Sequence, residues 1–274
     1  MKNRNTIIAE QSLEIIRCGS YEIDGRITDV REKIAGSVAR TKTMTPEALD
    51  ELILQPLPQP TQTTEFVFLN CTTMEAFIGS ETKLKTAALN FASAKNPGGG
   101  FIGGASAQEE SLARSSSLYA TLIKDETMYR FNRGNDSYLY SDYMIYSPDV
   151  LFWMDDAGNY LDEPVLVDVI TSPAPNKGAM LQNRRPEQIA QLEAVFRRRI
   201  DKMLALALQE GVECLILGAW GCGVFRNDTE DVARYFREIF DGRYKNQFPK
   251  IVFAIAGTSK AQNTYSTFKT KFGQ

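Results

Sequence analysis

The chain has 274 residues, a formal net charge of −3 at pH 7 and no histidine. The lack of histidine excludes Ser-His-Asp and Cys-His nucleophile systems, HExxH zinc sites and every imidazole acid or base, so proton transfer falls to carboxylates. The acidic balance excludes a coat that holds nucleic acid by bulk attraction, and the ordinary composition fits one large α/β domain or two small ones.

The opening "MKNRNTIIAEQSLEII" alternates charge with apolar residues, and no apolar run reaches the length of a membrane span. A cytoplasmic protein with no membrane partner is expected. Cys18, Cys71, Cys214 and Cys222 have no CxxC spacing, which suits reduced thiols better than disulfides or a zinc site. Helix-compatible spacing in "IIAEQSLEIIRCGSY" and "TDVREKIAGSVARTK" is followed by "LQPLPQPTQTTE", with three prolines in five residues, which reads as an extended connector. Residues 1–64 are therefore expected to be a helical extension plus connector, and 65–274 a catalytic core in one compact unit.

From residue 65 onward, apolar β-type runs alternate with helical patterns: "EFVFLN", "TAALNFA", "DVLFWM", "PVLVDVIT", "ECLILG" and "IVFAIAG". This alternation predicts a mostly parallel or mixed sheet covered by helices on both faces. One long helix is predicted from the stripe Ile189, Leu192, Phe196, Ile200, Met203, Leu204 and Ala207, ending near Gly211. Its "FRRR" (Phe196 to Arg199) reads as a solvated face, with polyanion contact as the lesser reading.

Three loops follow predicted strands: "SAKNPGGGFIGGASAQEE", "SPAPN" and "GAWGCGVFRND". Ligands of open α/β sheets sit at the carboxyl ends of strands, so these loops are expected to share one crevice. Glycine lets backbone N–H groups approach an anion, and two such loops suit the two halves of a pyrophosphate. Gly98, Gly100 and Gly103 also satisfy GxGxxG, but "SAKNP" separates them from the strand and no acid-ended strand follows at the nicotinamide spacing. A nicotinamide-dependent oxidoreductase is therefore the third reading. Ser106 and Glu109 match a capping box, and Glu110 precedes Arg114 by four residues, as in a helical ion pair. The cap would set an acid in the first helical turn beside the anion held by the loop. Cys222 between glycines is a candidate nucleophile only by position, since no histidine is present to activate it. Trp220 reads as a core aromatic, while Phe225 reads as a ligand-stacking one.

"GGGFIGGASAQEE" fits the GGG-x(6 to 8)-QEE signature of poly(ADP-ribose) glycohydrolases, and "NFASAKNPGGG…QEESLARSSSLY" with "GCGVF" resembles the compact bacterial type, over roughly Glu65 to Gly257. The resemblance implies a macrodomain-like α/β fold of three α/β/α layers with a central mixed sheet. It implies hydrolysis of the ribose-ribose O-glycosidic bond of poly(ADP-ribose), exo-acting, with no metal or cofactor. The implied partners are poly(ADP-ribose), ADP-ribose and ADP-ribosylated proteins, with the protein a monomer. By motif position Glu110 would be the catalytic acid, and Glu109 and Gln108 would hold ribose hydroxyls. Gly98, Gly99 and Gly100 would line the diphosphate, Gly221, Cys222, Gly223 and Val224 would cover it from the other side, and Phe225 would pack on the distal ribose. Asn90 and Asn96 complete the implied substrate-binding set, with an aspartate near the Asn90 position in eukaryotic relatives. A non-catalytic ADP-ribose reader using the same loops is the alternative, and the intact QEE speaks for hydrolysis.

Overall fold

The structure, a computed structural model, describes residues 3–257 and 259–273. Residues 1–2, 258 and 274 of the expected segments lie outside the described residues. The chain begins with α1 (Arg4–Cys18), a hairpin of β1 (Ser20–Ile23) and β2 (Arg26–Asp29), α2 (Arg31–Arg40), β3 (Lys42–Met44) and α3 (Pro46–Leu54). It continues with β4 (Glu65–Leu69), α4 (Thr73–Ile78), β5 (Thr86–Phe91), a 3-10 turn (Phe101–Gly103), α5 (Gln108–Arg114), α6 (Leu118–Leu122) and α7 (Thr127–Gly134). The paired β6 (Met144–Met154) and β7 (Tyr160–Ser172) lead to α8 (Lys177–Gln182), α9 (Pro186–Ile189) and α10 (Leu192–Gln209). The last elements are β8 (Cys214–Leu217), α11 (Thr229–Asp241), β9 (Lys250–Ala254) and α12 (Ser259–Lys271).

A seven-stranded mixed sheet runs in the order β3-β6-β7-β5-β8-β9-β4. β7, β5, β8, β9 and β4 are mutually parallel, while β6 runs antiparallel to β7 and β3 antiparallel to β6. The period of two sorts side chains onto two faces. Leu89, Leu215, Leu217, Ile251 and Phe253 pack with α3, α10, α11 and α12. Ala88, Cys214, Ile216, Val252 and Ala254 pack with α4 to α7. The result is three layers, α/β/α, and both faces of the middle strands are buried, which is why they read as continuous apolar runs. Each fully buried Leu or Ile contributes about 1.5–3 kcal/mol. All six expected strands form.

The amino-terminal segment departs from the helical extension expected of it. It carries strands as well as helices, and β3 is an edge strand of the central sheet, with Thr43 opposite Ile145. Ile8, Ile15, Tyr21, Val30 and Ile34 share a core with Leu151, Trp153 and Met154 of β6.

Two expectations for the long helix are corrected. Ile189 ends α9, and a fresh start at Leu192 with Gln191 as the cap begins α10, which closes near Gly211. The "FRRR" stretch is not a solvated face: Arg199 is 0% exposed. Arg199 Nε donates to Asp142 Oδ1 at 3.0 Å, and its other nitrogens donate to Pro173 O at 2.7 Å and Leu139 O at 3.0 Å. Arg198 and the buried Lys202 meet the same carboxylate, at 2.5 and 3.0 Å. Burial would raise the Asp142 pKa, but the Arg199 charge, the Arg198 hydrogen bond and the Lys202 charge outweigh it and hold the carboxyl well below its usual range. Among the described residues no helix is long and apolar enough to cross a membrane.

Candidate active site

The ends of β5, β8, β9 and β4 open on one edge of the sheet, as parallel pairing requires. The loop after β5 folds back through the glycines to α5, whose first turn presents Gln108, Glu109 and Glu110. The Gln108 amide is used within the protein: Nε2 donates to Leu89 O at 2.8 Å and Thr73 Oγ1 at 3.1 Å, and Oε1 accepts from Phe91 N–H at 2.8 Å. These bonds clip α5 to β5 and fix the Gln108 side chain at the cleft wall.

Adjacent helical residues diverge by about 100°, and the two glutamates take different environments. Glu109 is 2% exposed. Its Oε2 accepts from Ser93 N–H at 2.6 Å and its Oε1 from Asn90 Nδ2 at 3.2 Å. Asn90 stands on the α5 side of β5 and also donates to Thr171 Oγ1 at 3.2 Å. Burial pushes the Glu109 carboxyl up to about 8, against the lowering effect of the Ser93, Asn90 and Gly98 hydrogen bonds. The Ser106–Glu109 capping box is therefore not formed: the cap residue is Ala107 with no side-chain bond, because Ser93 and Asn90 occupy the Glu109 oxygens. Glu110 is only partly buried, and its Oε1 accepts from Gly100 N–H at 2.9 Å. Arg114 does not reach back to Glu110 as an ion-pair partner but donates to Ala105 O at 2.8 Å and Ser111 Oγ at 3.3 Å.

Gly98 and Gly99 have φ of 68° and 60°, values that favour glycine. A Cβ on Gly99 would lie 2.3 Å from Glu110 Oε1 and 3.1 Å from Glu109 Oε2. The glycine loop thus wraps the two acids. The Gly98 and Gly100 N–H groups, expected to face a diphosphate, serve Glu109 and Glu110 here. Asn96 is exposed, and its carbonyl accepts from Gly99 N–H at 3.0 Å.

Beside this loop lies a cleft of about 740 Å³ lined by Gln108, Ser111 and Leu112 on one side and by Trp220, Gly221, Cys222, Gly223, Val224 and Phe225 on the other. Glu109 and Glu110 fall between the lining residues Gln108 and Ser111 in sequence but are not themselves among the residues that line the cleft. Gly221 has φ of 77°, and a Cβ there would meet Ala174 Cβ and Asn227 Nδ2, each at 2.6 Å. The N–H groups of Gly223, Val224 and Phe225 find no backbone acceptor among the described residues. Three neighbouring unpaired amides in a cleft wall suit an anion. The Phe225 ring lies 6.1 Å from Tyr140 at 50°. Trp220 is core: fully buried, its Nε1 donates to Ser172 O at 3.1 Å. Burial pushes the Cys222 thiol up to about 12, the opposite of what a nucleophile needs.

The family described as microbial-type PARG, catalytic domain, matches residues 9–155, which include the glycine loop and both glutamates. The chain belongs to the microbial-type poly(ADP-ribose) glycohydrolase (PARG) family. Its structure is similar to poly(ADP-ribose) glycohydrolase from Thermomonospora curvata, with TM-score 0.92 and 38% identity over 98% of this chain and 99% of that one. The T. curvata enzyme bound to the inhibitor ADP-HPD aligns at TM-score 0.88 and 38% identity, over 98% and 99%. The Deinococcus radiodurans enzyme in complex with ADP-ribose aligns at TM-score 0.82 and 40% identity, over 92% and 99%. Among curated proteins none matches.

Sequence reasoning missed part of this PARG cleft. Cys71, Thr72 and Thr73 after β4, Asp156 in the β6–β7 turn, and Asn263 and Thr264 of α12 also line it. A usable signal was present at "TTME", where a real capping box forms: Glu75 N–H donates to Thr72 Oγ1 at 3.0 Å and Thr72 N–H to Glu75 Oε2 at 2.7 Å. Thr72 Oγ1 also donates to Asp156 Oδ2 at 2.5 Å.

Proposed function

We propose that this PARG-family chain hydrolyses the ribose-ribose O-glycosidic bond at the end of poly(ADP-ribose), releasing ADP-ribose, with Glu110 as acid and then base. The observation that carries the reading is the split between adjacent carboxyls: Glu109 is buried and held by Ser93 and Asn90, while Glu110 is partly open and held by one glycine amide. Two carboxylates flanking a glycosidic bond would serve the usual mechanisms, but neighbours diverging on one helix do not flank it. One working acid remains. Protonated Glu110 donates to the leaving 2′ oxygen as the C–O bond breaks. The resulting carboxylate takes a proton from the water that attacks the oxocarbenium carbon, which restores the acid. Glu109, buried and gripped by Ser93 and Asn90, anchors the first turn of α5 and so sets the position of the reacting acid.

In this reading the amides of Gly223, Val224 and Phe225 would hold the diphosphate and Phe225 would pack on the distal ribose, supported by the lack of a backbone acceptor for those amides among the described residues and by their place in the cleft wall. A cleft of about 740 Å³ fits one nucleotide-sugar unit, which supports cutting at the chain end. Free cysteines suit a reducing compartment such as the cytoplasm. Labelled poly(ADP-ribose) tests the reading directly. Glu110→Gln should cut ADP-ribose release at least a hundredfold while ADP-ribose binding persists. Release at the unaltered rate would overturn the assignment, and tight binding without release by the unaltered chain would make it a reader.

A further inference from the structure

Arg226 follows Phe225 at the tip of the β8–α11 loop and is held at φ 56°. The turn is closed by Arg226 N–H to Gly223 O at 3.1 Å, and Asn227 Nδ2 ties it to Pro175 O at 2.8 Å and Gly221 O at 3.0 Å. The stem of Arg226 lies on Gly178: a Cβ there would meet Arg226 Cδ at 3.2 Å and Cγ at 3.4 Å. Gly178 N–H donates to Phe225 O at 2.8 Å, so the loop tip and the start of α8 are fastened together. Lys177 is the residue beside Gly178. Arg226, exposed, follows the cleft residue Phe225, and Lys177, half-buried, precedes the glycine on which the Arg226 stem lies; neither is among the residues that line the cleft itself.

Neither has an acidic partner among the described residues, whereas nearby Arg185 is paired with Asp136 at 2.6 Å. Asp228, two residues on, accepts from Asp231 N–H at 3.2 Å as the cap of α11. On a chain of net charge −3, a guanidinium and an ammonium without acidic partners are each stabilised by an anion from outside. The guanidinium of Arg226 offers the forked donors that suit phosphate.

We infer that Arg226 and Lys177 form a second anion subsite, which takes the pyrophosphate of the ADP-ribose unit on the leaving side of the scissile bond. The inference rests on the proposed reaction and deepens it. In that reaction the leaving group is the 2′ oxygen of the next unit's ribose, and the same sugar carries its pyrophosphate on the 5′ carbon. That pyrophosphate therefore emerges within one sugar's width of the reacting bond. Monomeric ADP-ribose has no second pyrophosphate, so the subsite distinguishes polymer from product.

The test compares binding of ADP-ribose and of a two-unit ADP-ribose oligomer in the Glu110→Gln background, which prevents turnover. The oligomer should bind about tenfold more tightly than the monomer, with the difference shrinking as salt rises. Adding Arg226→Gln and Lys177→Gln should abolish the difference while changing monomer affinity by a much smaller factor. Glutamine carries the same strain as arginine at positive φ and keeps part of the stem that lies on Gly178, so melting should shift little. Should the double variant not fold, Lys177→Gln alone should still reduce the preference. Equal affinity for both ligands before the charges are altered, or equal loss of both after, overturns the subsite. Should the unaltered chain release no ADP-ribose from polymer, the proposed activity falls, while the binding comparison still decides the subsite on its own.

Discussion

Glu109→Gln should make the protein more stable at neutral and alkaline pH and flatten its dependence on pH. Glu109 is 2% exposed, and burial raises its carboxyl from 4.5 to about 8. A folded-state pKa above the unfolded value means that the folded chain holds more protons between the two values. Stability from this group is therefore fully present below about 4.5 and declines as pH rises through about 8. Each pKa unit corresponds to about 1.4 kcal/mol, so between pH 5 and pH 8 the wild-type chain should lose on the order of 3 kcal/mol relative to the variant. The amide can preserve the local bonds: its oxygen accepts from Ser93 N–H, and Asn90 can turn toward the new NH2 its Oδ1, which has no partner among the described residues. Urea denaturation of both proteins at pH 5 and pH 8 measures the difference of slopes. Parallel stability curves would show that Glu109 is ionised at neutrality and would refute the reasoning from burial.

Gly99→Ala would put a Cβ 2.3 Å from Glu110 Oε1, the mobile end of a side chain. The carboxyl moves, so ADP-ribose release should drop tenfold or more while melting changes by about the 1–2 kcal/mol of a left-handed alanine. Gly221→Ala meets fixed neighbours, Ala174 Cβ and Asn227 Nδ2 at 2.6 Å, so calorimetry should show a weakened fold together with lost ADP-ribose affinity. Asp142→Asn leaves Arg199, 0% exposed, without its counter-charge and Lys202, 1% exposed, with Asp50 alone. Denaturation at pH 7 should show a loss of about 3–5 kcal/mol. In the wild-type chain that contribution is present above the unfolded carboxyl pKa and disappears as pH falls toward the depressed folded value.

The central strands β5, β8 and β9 were legible because each is an apolar run buried on both faces, and β8 with "CLIL" shows the pattern fully, while the edge strand β4 is apolar but only partly buried. The glycine loops and the acid pair were legible as spacing. What local pattern could not show were partners far along the chain. Arg199 reads as a surface residue until Asp142, 57 positions away, is brought against it. The Ser106–Glu109 box is sound as a local motif but loses to Ser93 and Asn90, 16 and 19 positions away, which take the glutamate into the core. β3 is three residues long and is a strand only because β6 offers it an edge.

The placement of Glu110 follows from a similar long-range dependence. α5 has seven residues and no side-chain cap, too short to be stable by itself, so its direction must come from what grips its ends. Gln108 fastens the first turn to β5 through Leu89 O and Phe91 N–H. At the other end, Arg114 O accepts from Ser12 Oγ, which itself accepts from Trp153 Nε1 at 3.3 Å. Asn5 Nδ2 donates to Gly104 O at 3.3 Å, and Ala9 packs against Phe101 and Ala113. The segment before residue 64 therefore belongs to the site: α1 holds the far side of the glycine loop and the end of α5. The burial of Glu109 opposes folding at neutral pH, and these grips from two directions keep the helix in place despite it.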